Sequence, residues 1–328
     1  MHRRIDISHK TIFFIATFLL GLWALYQIID VIVLLFIAII LMAGLSPLVK
    51  YLSTWKLPKT LSIGIAYLCI IAVIAGLISL IVTPLIDQTT KLIQTLPQTA
   101  QTILPPFLDP SIFQRELSNV ASNALSFSLI IFNNFLAIIS VLVLTFYLLL
   151  ERDKLDGRIA QLFVGSEEQV KKTVRRIEEK LGAWLRGQLA LSLIIGTLAY
   201  VLLLALQIPY ALPLAILAGL FEIVPVIGPI ISAIPAILVA LTLSPLSAGF
   251  VALGYFVIQQ LENSFIVPQV MKKAVGLNPL IVILAVSIGG KLLGISGALL
   301  AVPITVVIQI LIEDLFNAKT LTELESEG

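Results

Sequence analysis

Six predominantly apolar runs, Thr11–Ile29, Val31–Val49, Leu61–Val82, Phe127–Leu150, Leu189–Leu206 and Leu280–Ile312, dominate this sequence. Each is close to or beyond the roughly 20 residues that carry a helix through a bilayer core. A chain with this many such runs cannot fold around one water-shielded core. Composition agrees: of 328 residues 59% are hydrophobic and only 12% charged. An ordinary soluble domain carries about 25% charged residues, so the polar side chains here are too few to cover a wet surface. The sequence therefore predicts an all-α, polytopic membrane protein of about seven or eight transmembrane segments. The first run reads as a signal anchor rather than a removed leader.

Basic residues cluster at three places. Arg3, Arg4 and Lys10 precede the first run, Lys50, Lys56 and Lys59 separate the second and third, and eight more lie between Arg152 and Lys180. The stretch Thr83–Leu125 holds only Lys91 and Arg115. Because Lys and Arg stay on the cytoplasmic side, this pattern predicts an inside N-terminus with spans alternating from there. The expected organisation is a three-span region 1–82, an outer amphipathic segment 83–125, a fourth span 126–150, a charged inner segment 151–187, a C-terminal domain 188–314 of transport type, and an acidic inner tail 315–328. In the outer segment Leu85, Leu92, Leu96, Ile103 and Phe107, then Phe113, Leu117, Val120 and Ala124, recur at helical spacing around a break at Pro105-Pro106. Val170, Val174, Ile177, Leu181 and Trp184 do the same in the inner one. Such helices lie on a membrane surface, dock on their own bundle or meet a partner chain, and a homo-oligomer is compatible with them.

From Ile208 the apolar pattern is punctuated. Pro213, Pro225, Pro229 and Pro235 cannot all occupy one straight helix, since each removes a backbone hydrogen bond. Two half-helices around an unwound point near Val224–Pro229 are expected, either crossing once or folding back. Broken backbone at membrane depth survives only where protein buries it or where it lines a wet cavity. A second punctuated segment follows, in which Gly294 and Gly297 fall: each segment has a lone charge (Glu222; Lys291), a glycine-containing break and a small-residue run into Pro235 or Pro303, with charge-to-proline spacings of 13 and 12. Paired interrupted segments point to a transporter's binding site. Pro229, Pro235, Pro268, Gly297 and Pro303 are read as structural breaks.

Only five charged residues occur in the 125 residues from Gln188 to Ile312: Glu222, Glu262, Lys272, Lys273 and Lys291. An ionisable group at such depth is costly and points to function. Glu222, beside the expected break, would bind a cation or hold a proton, with unwound carbonyls near Val224–Gly228 adding oxygen ligands; the alternative is a Glu satisfied by a neighbouring helix. Tyr255, Gln259, Glu262 and Asn263 follow i, i+4, i+7, i+8 spacing and are expected on one face, with Gln260 elsewhere. That stripe would wall a solute path or bind helices together. Lys291 would pair with Glu222 or Glu262, meet an anionic substrate group, or reach the surface.

Absences narrow the classes. The two histidines, His2 and His9, lie in the N-terminal tail, and Cys69 is the lone cysteine, so no His/Cys metal cluster and no disulfide framework is expected. The sequence has no phosphate-binding Gly-Lys-Ser/Thr loop, no HExxH and no GxSxG. No cofactor, no nucleic-acid partner and no enzyme activity is expected. The expected partners are the lipid bilayer, a small polar solute and a coupling cation (H+ or Na+).

The succession LRGQLALSLIIG, PYALPLAILAGLFEIVPVIGPIISAIPAI, QQLENSFIVPQVMKKAVGLNPL and GGKLLGISGALLAVPI resembles the autoinducer-2 exporter (AI-2E) family of TqsA/PerM-like permeases. The match is good over Leu181–Ile312. The resemblance implies a bacterial cytoplasmic membrane and secondary transport, with export of a furanosyl-borate-type signal, sodium or lithium/proton antiport, or a link to sporulation among relatives. It carries over Gln188, Pro225, Gly228, Gln259, Glu262, Asn263, Pro268, Gly276, Pro279, Gly294, Gly297 and Pro303. Asn278, where relatives often have histidine, and Lys272, where glycine is frequent, depart from the pattern and weaken any proton role for that loop. Three readings are carried forward: a gradient-driven exporter of a small polar metabolite or signal, a cation/proton antiporter, and a non-transporting membrane scaffold.

Overall fold

The protein is described here by a computed structural model, which covers residues 9–77, 79–80, 135–163, 166–225, 227–274 and 276–327. The amphipathic segment expected over 83–125 lies outside the described residues. Everything regular among them is helical: α1 (His9–Gln27), α2 (Ile29–Ser53), α3 (Lys59–Leu77), α4 (Phe135–Ala160), α5 (Glu167–Ala205), α6 (Ala211–Phe221), α7 (Ile227–Leu243), α8 (Pro245–Leu261), a π-helical turn (Glu262–Ile266), α9 (Val267–Ala274) and α10 (Pro279–Glu327). Their outer faces are densely apolar, with Leu136, Leu193, Leu253 and Ile295 all exposed. The chain is a multi-pass membrane protein whose lipid-facing surface is as greasy as its interior.

Helix α5 is the organising element. It runs unbroken for 39 residues, joining the charged stretch to the following apolar run, so the sequence position 187/188 falls inside one helix. Its charged half packs its apolar side inward: Leu181 and Trp184 are buried with Ile40 and Ala43 of α2 and with Leu300, Val306 and Ile310 of α10. The end of the helical stripe, Ile177, Leu181 and Trp184, thus docks on the chain's own bundle. Ion pairs tie the same end together, Lys59–Asp153 at 2.6 Å, Arg175–Asp156 at 2.6 Å, and Arg176 with Glu313 and Asp314.

The apolar half of α5 packs antiparallel to α6 through small residues. A Cβ added at Gly219 would lie 2.6 Å from the Ser192 carbonyl, and one at Gly196 would lie 3.2 Å from the Ala215 carbonyl. In lipid, where apolar burial drives little, such close backbone approach supplies the packing energy. The chain then reverses at 222–226. Phe221 and Gly228 touch backbone to backbone at the reversal. At the other end Ala211, Leu214, Val239 and Ala240 share a core with Leu203 and Val251. Helices α6 and α7 are therefore a hairpin that enters and leaves on one side. At 11 residues and about 1.5 Å each, α6 is too short to cross a hydrocarbon core of about 30 Å.

The second interrupted segment does the same. Helix α10 breaks at Leu293 (φ −129°) and Gly294 (φ 60°), and Gly289 and Gly297 then meet backbone to backbone. Gly290 faces the Ala298 methyl, and Gly289 the Ala301 methyl. In a continuous helix residues 289 and 301 would lie about 18 Å apart, so the arms 279–292 and 295–327 are folded back on each other. Val224, at the tip of the first hairpin, packs among Val282, Val286, Ala298 and Ala301 of the second. The two interrupted segments meet.

Several expected breaks are not breaks. The chain stays helical through Pro235 and Pro303. Each removes one backbone bond, to the carbonyl of Ile231 or Leu299, and the helix is carried past it by its packing: Ala236 and Val239 are buried after Pro235, and Val302 and Val306 lie buried around Pro303. Pro229 sits in the first turn of α7, where a missing N–H is harmless. The helix continues past Pro268 to Ala274 because the preceding π turn makes room for the ring. Gly297 lies inside the second arm as its packing contact; the turn belongs to Gly294.

Two outcomes test this architecture. Gly289→Val or Gly297→Val should abolish recovery of folded protein from detergent, whereas Gly290→Ala, whose added methyl finds 3.8 Å of room, should keep the wild-type melting temperature. The hairpin also fixes sides: after Cys69 is replaced, Gln269→Cys should react with an impermeant thiol reagent from the same face as Lys172→Cys and from the opposite face to Leu246→Cys. Labelling of Gln269→Cys from the face opposite to Lys172→Cys, with Leu246→Cys now on the Lys172 face, would mean α6–α7 crosses once.

Candidate functional site

Where α6 ends, no helix remains to shield the polar backbone of Glu222–Pro225, and three elements close over it. Helix α5 contributes Gln188, which is 2% exposed and donates from Nε2 to the Glu222 carbonyl at 2.5 Å. The second hairpin contributes the apolar cushion around Val224. Helix α8 with its π turn contributes Glu262. The Glu222 and Glu262 side chains are 1% and 3% exposed, and their carboxyl groups engage each other. No ion pair to either forms among the described residues, and Oε2 of each is reached by no donor.

This arrangement is electrostatically demanding. Two ionised carboxylates in contact repel, and removing each from water costs several kcal/mol without a partner. The pair is stable only with a proton or a cation between its oxygens. Other polar groups nearby are also unspent. The Tyr255 hydroxyl and the Ser192 hydroxyl are buried without a partner. Tyr255 stands two turns before Glu262 on the same face of α8, and Ser192 one turn beyond Gln188 on α5.

The sequence-derived stripe is only partly assembled. Val251, Tyr255, Ile258 and Glu262 form the buried face, Gln259 is half-buried at its edge, and Gln260 is exposed as expected. Asn263 is exposed, not beside Glu262. A helix buries a face about 100° wide, and Asn263 lies in the π turn, whose wider winding carries it off that face. Lys291 is exposed and makes no ion pair among the described residues, so it pairs with neither glutamate. Yet its place in the repeat is retained: Glu222 and Lys291 each precede by six residues the glycine at which a hairpin closes, Gly228 and Gly297. Pro225 and Gly294 stand at equivalent turn positions. Gly228 is buried at the tip and Gly294 is exposed. Ser192 escaped the sequence reading because a lone serine in an apolar run carries no spacing signal. Gln188 was marked only by resemblance. Among the described residues no group of three His, Cys, Asp or Glu gathers.

The family model for AI-2E family transporters matches residues 12–317, spanning both hairpins and the buried pair. The chain belongs to the AI-2E transporter family. It is 29% identical over 326 residues to the AI-2 transport protein TqsA of Escherichia coli, covering 92% of this chain and 89% of that one. It is 28% identical over 306 residues to YrrI of Bacillus subtilis, with 87% of each chain covered. YueF of Bacillus subtilis is 29% identical over 291 residues, covering 80% and 78%. This AI-2E transporter is thus aligned over nearly its whole length with members of the family.

Gln188→Leu should leave the Glu222 carbonyl buried and unsatisfied, at a cost of about 1–3 kcal/mol. A lowered melting temperature in detergent, with Gln188→Glu no better, is the expected result. An unchanged melting temperature would show that water or another group replaces the contact.

Proposed function

We propose that this transporter is driven by an ion gradient, and that the Glu222–Glu262 pair at the hairpin tip is its coupling site. The buried carboxyl pair without a basic partner carries this reading. Such a pair exchanges a proton for a monovalent cation, or binds and releases a proton as solute moves. The half-buried Gln259 and the unpartnered hydroxyls of Tyr255 and Ser192 offer donors and acceptors suited to a small polar solute. The direction is export. Because the chain is similar to a protein named for AI-2 transport, AI-2 is the first substrate to test.

The membrane is the bacterial cytoplasmic membrane, with the ion-paired end of α5 and the N-terminus inside. The first hairpin then opens from the outer face and the second from the inner face, and Lys272 and Lys273 fall inside, in accord with the positive-inside trend. Proton/sodium or proton/lithium antiport by the same pair is the second reading, favoured by the two carboxyls alone. The scaffold reading is weakened because Ile177, Leu181 and Trp184 of the inner stripe are taken up by the chain's own core.

In inverted vesicles, Glu222→Gln and Glu262→Gln should each reduce solute movement at least a hundredfold while protein levels hold. Wild-type rates in both variants would remove the pair from the mechanism. Dye-quench measurements with sodium, lithium and potassium divide the readings: a cation response without solute supports antiport, and none at any pH supports solute export.

A further inference from the structure

A second polar site lies far from the hairpins, at the ion-paired end of the molecule. The last turns of α2, the start of α3 and the middle of α4 enclose a cavity of about 390 Å³. Lys50, Lys59 and Arg152 line it against a single carboxylate, Asp153, and the hydroxyl-bearing Ser46 and Ser53 face it as well. Two of the cations are already positioned. Lys59 is held by Asp153 (2.6 Å) and the Leu150 carbonyl (3.0 Å), and Arg152 by Glu178 of α5. Lys50 makes no ion pair among the described residues. With Lys59 on Asp153 and Arg152 on Glu178, Lys50 is left as the one cation lining the cavity without a carboxylate among the described residues.

Its level in the membrane is marked by neighbouring residues. Tyr51 and Trp55 are exposed and stack edge-to-face just beyond Lys50, in the manner of side chains at a head-group layer. Above that layer the same helices turn Leu48, Leu61 and Val143 outward to lipid. Leu149, itself buried, closes the apolar side of the cavity. Phosphate oxygens placed among Lys50, Lys59 and Arg152 would be continuous with acyl chains lying along those apolar side chains. Basic pockets between transmembrane helices at the cytoplasmic level recognise such head groups.

We propose that this cavity binds the phosphodiester head group of an anionic phospholipid, with Lys50 supplying the uncommitted charge. The cavity is large enough for the phosphoglycerol group of phosphatidylglycerol, being within the size range of small-molecule sites. A seated lipid would bridge α2, α3 and α4 at the end where Lys59–Asp153 joins α3 to α4 and Arg152–Glu178 joins α4 to α5. The site is independent of the Glu222–Glu262 pair.

Full-length protein in a neutral detergent is titrated with phosphatidylglycerol, phosphatidylcholine or inorganic phosphate, and lipid retention by native mass spectrometry is read with the melting temperature. Phosphatidylglycerol is expected to be retained and to raise the melting temperature, with phosphatidylcholine and inorganic phosphate doing neither. Lys50→Gln should weaken retention about fivefold, as expected for one basic residue at an anionic surface. Lys50→Arg should restore it, and Lys172→Gln, on the exposed face of α5, should leave it unchanged. Equal losses in Lys50→Gln and Lys172→Gln would mean diffuse surface attraction and overturn the site. A shift by inorganic phosphate equal to that by phosphatidylglycerol would make it a free-anion site and overturn the lipid assignment. Phosphatidylcholine bound as tightly as phosphatidylglycerol would overturn the role of charge.

Discussion

Backbone polar groups cannot be left open to hydrocarbon, and the C-terminal half of this protein is organised around that constraint. Ending α6 at Phe221 leaves the Glu222 carbonyl in need of a donor at membrane depth, while those of Phe221, Val224 and Pro225 accept from Val224, Gly228 and Ile227. The structure meets this by bringing Gln188 to the Glu222 carbonyl, the second hairpin onto Val224, and the end of α8 against Glu222 itself. The tip is thus buried on several sides by elements distant in sequence. The same contacts that satisfy the backbone bring two carboxyl groups together, so the structural solution and the proposed coupling site are one set of residues.

Small residues make this possible. Gly219 against Ser192, Gly228 against Phe221 and Gly289 against Gly297 let backbones touch where a side chain would hold them apart. Lipid supplies no hydrophobic drive between helices, so this contact area holds the hairpins. The opposite end is held differently, by ion pairs joining α3, α4, α5 and α10 where water is at hand. Exposed pairs of this kind contribute about 0–1 kcal/mol each and are screened by salt. They align the helix ends, while the apolar contacts between α2, α5 and α10 carry the stability.

The π turn at Glu262–Ile266 joins these themes. Pro268 cannot donate its nitrogen, and a wider turn before it absorbs the mismatch without ending the helix. The widened winding leaves Glu262 inward and sends Asn263 out to the exposed face. A local backbone adjustment therefore selects which polar residue of QQLEN reaches the buried centre.

Sequence alone determined what periodicity and composition can express. Long apolar runs required a multi-pass helical membrane protein, prolines and glycines required interruptions after Ile208, and rarity of charge singled out Glu222 and Glu262. Even the repeat was legible, as a lone charge, Glu222 or Lys291, followed 13 or 12 residues later by Pro235 or Pro303. What the chain could not announce was pairwise closeness between distant segments. That Glu262 meets Glu222 rather than Lys291, that the interrupted segments fold back, and that Ile177, Leu181 and Trp184 of the inner stripe dock inward follow from backbone approach at particular glycines and from the side each helix turns to its neighbours. Single-helix spacing is blind to those relations, because residues separated by 40 to 120 positions share no local pattern. Proline misled for the related reason that its effect depends on position in a turn: Pro229 lies in a helix's first turn, Pro268 follows a π turn that makes room for it, and Pro235 and Pro303 stay within helices held by their packing.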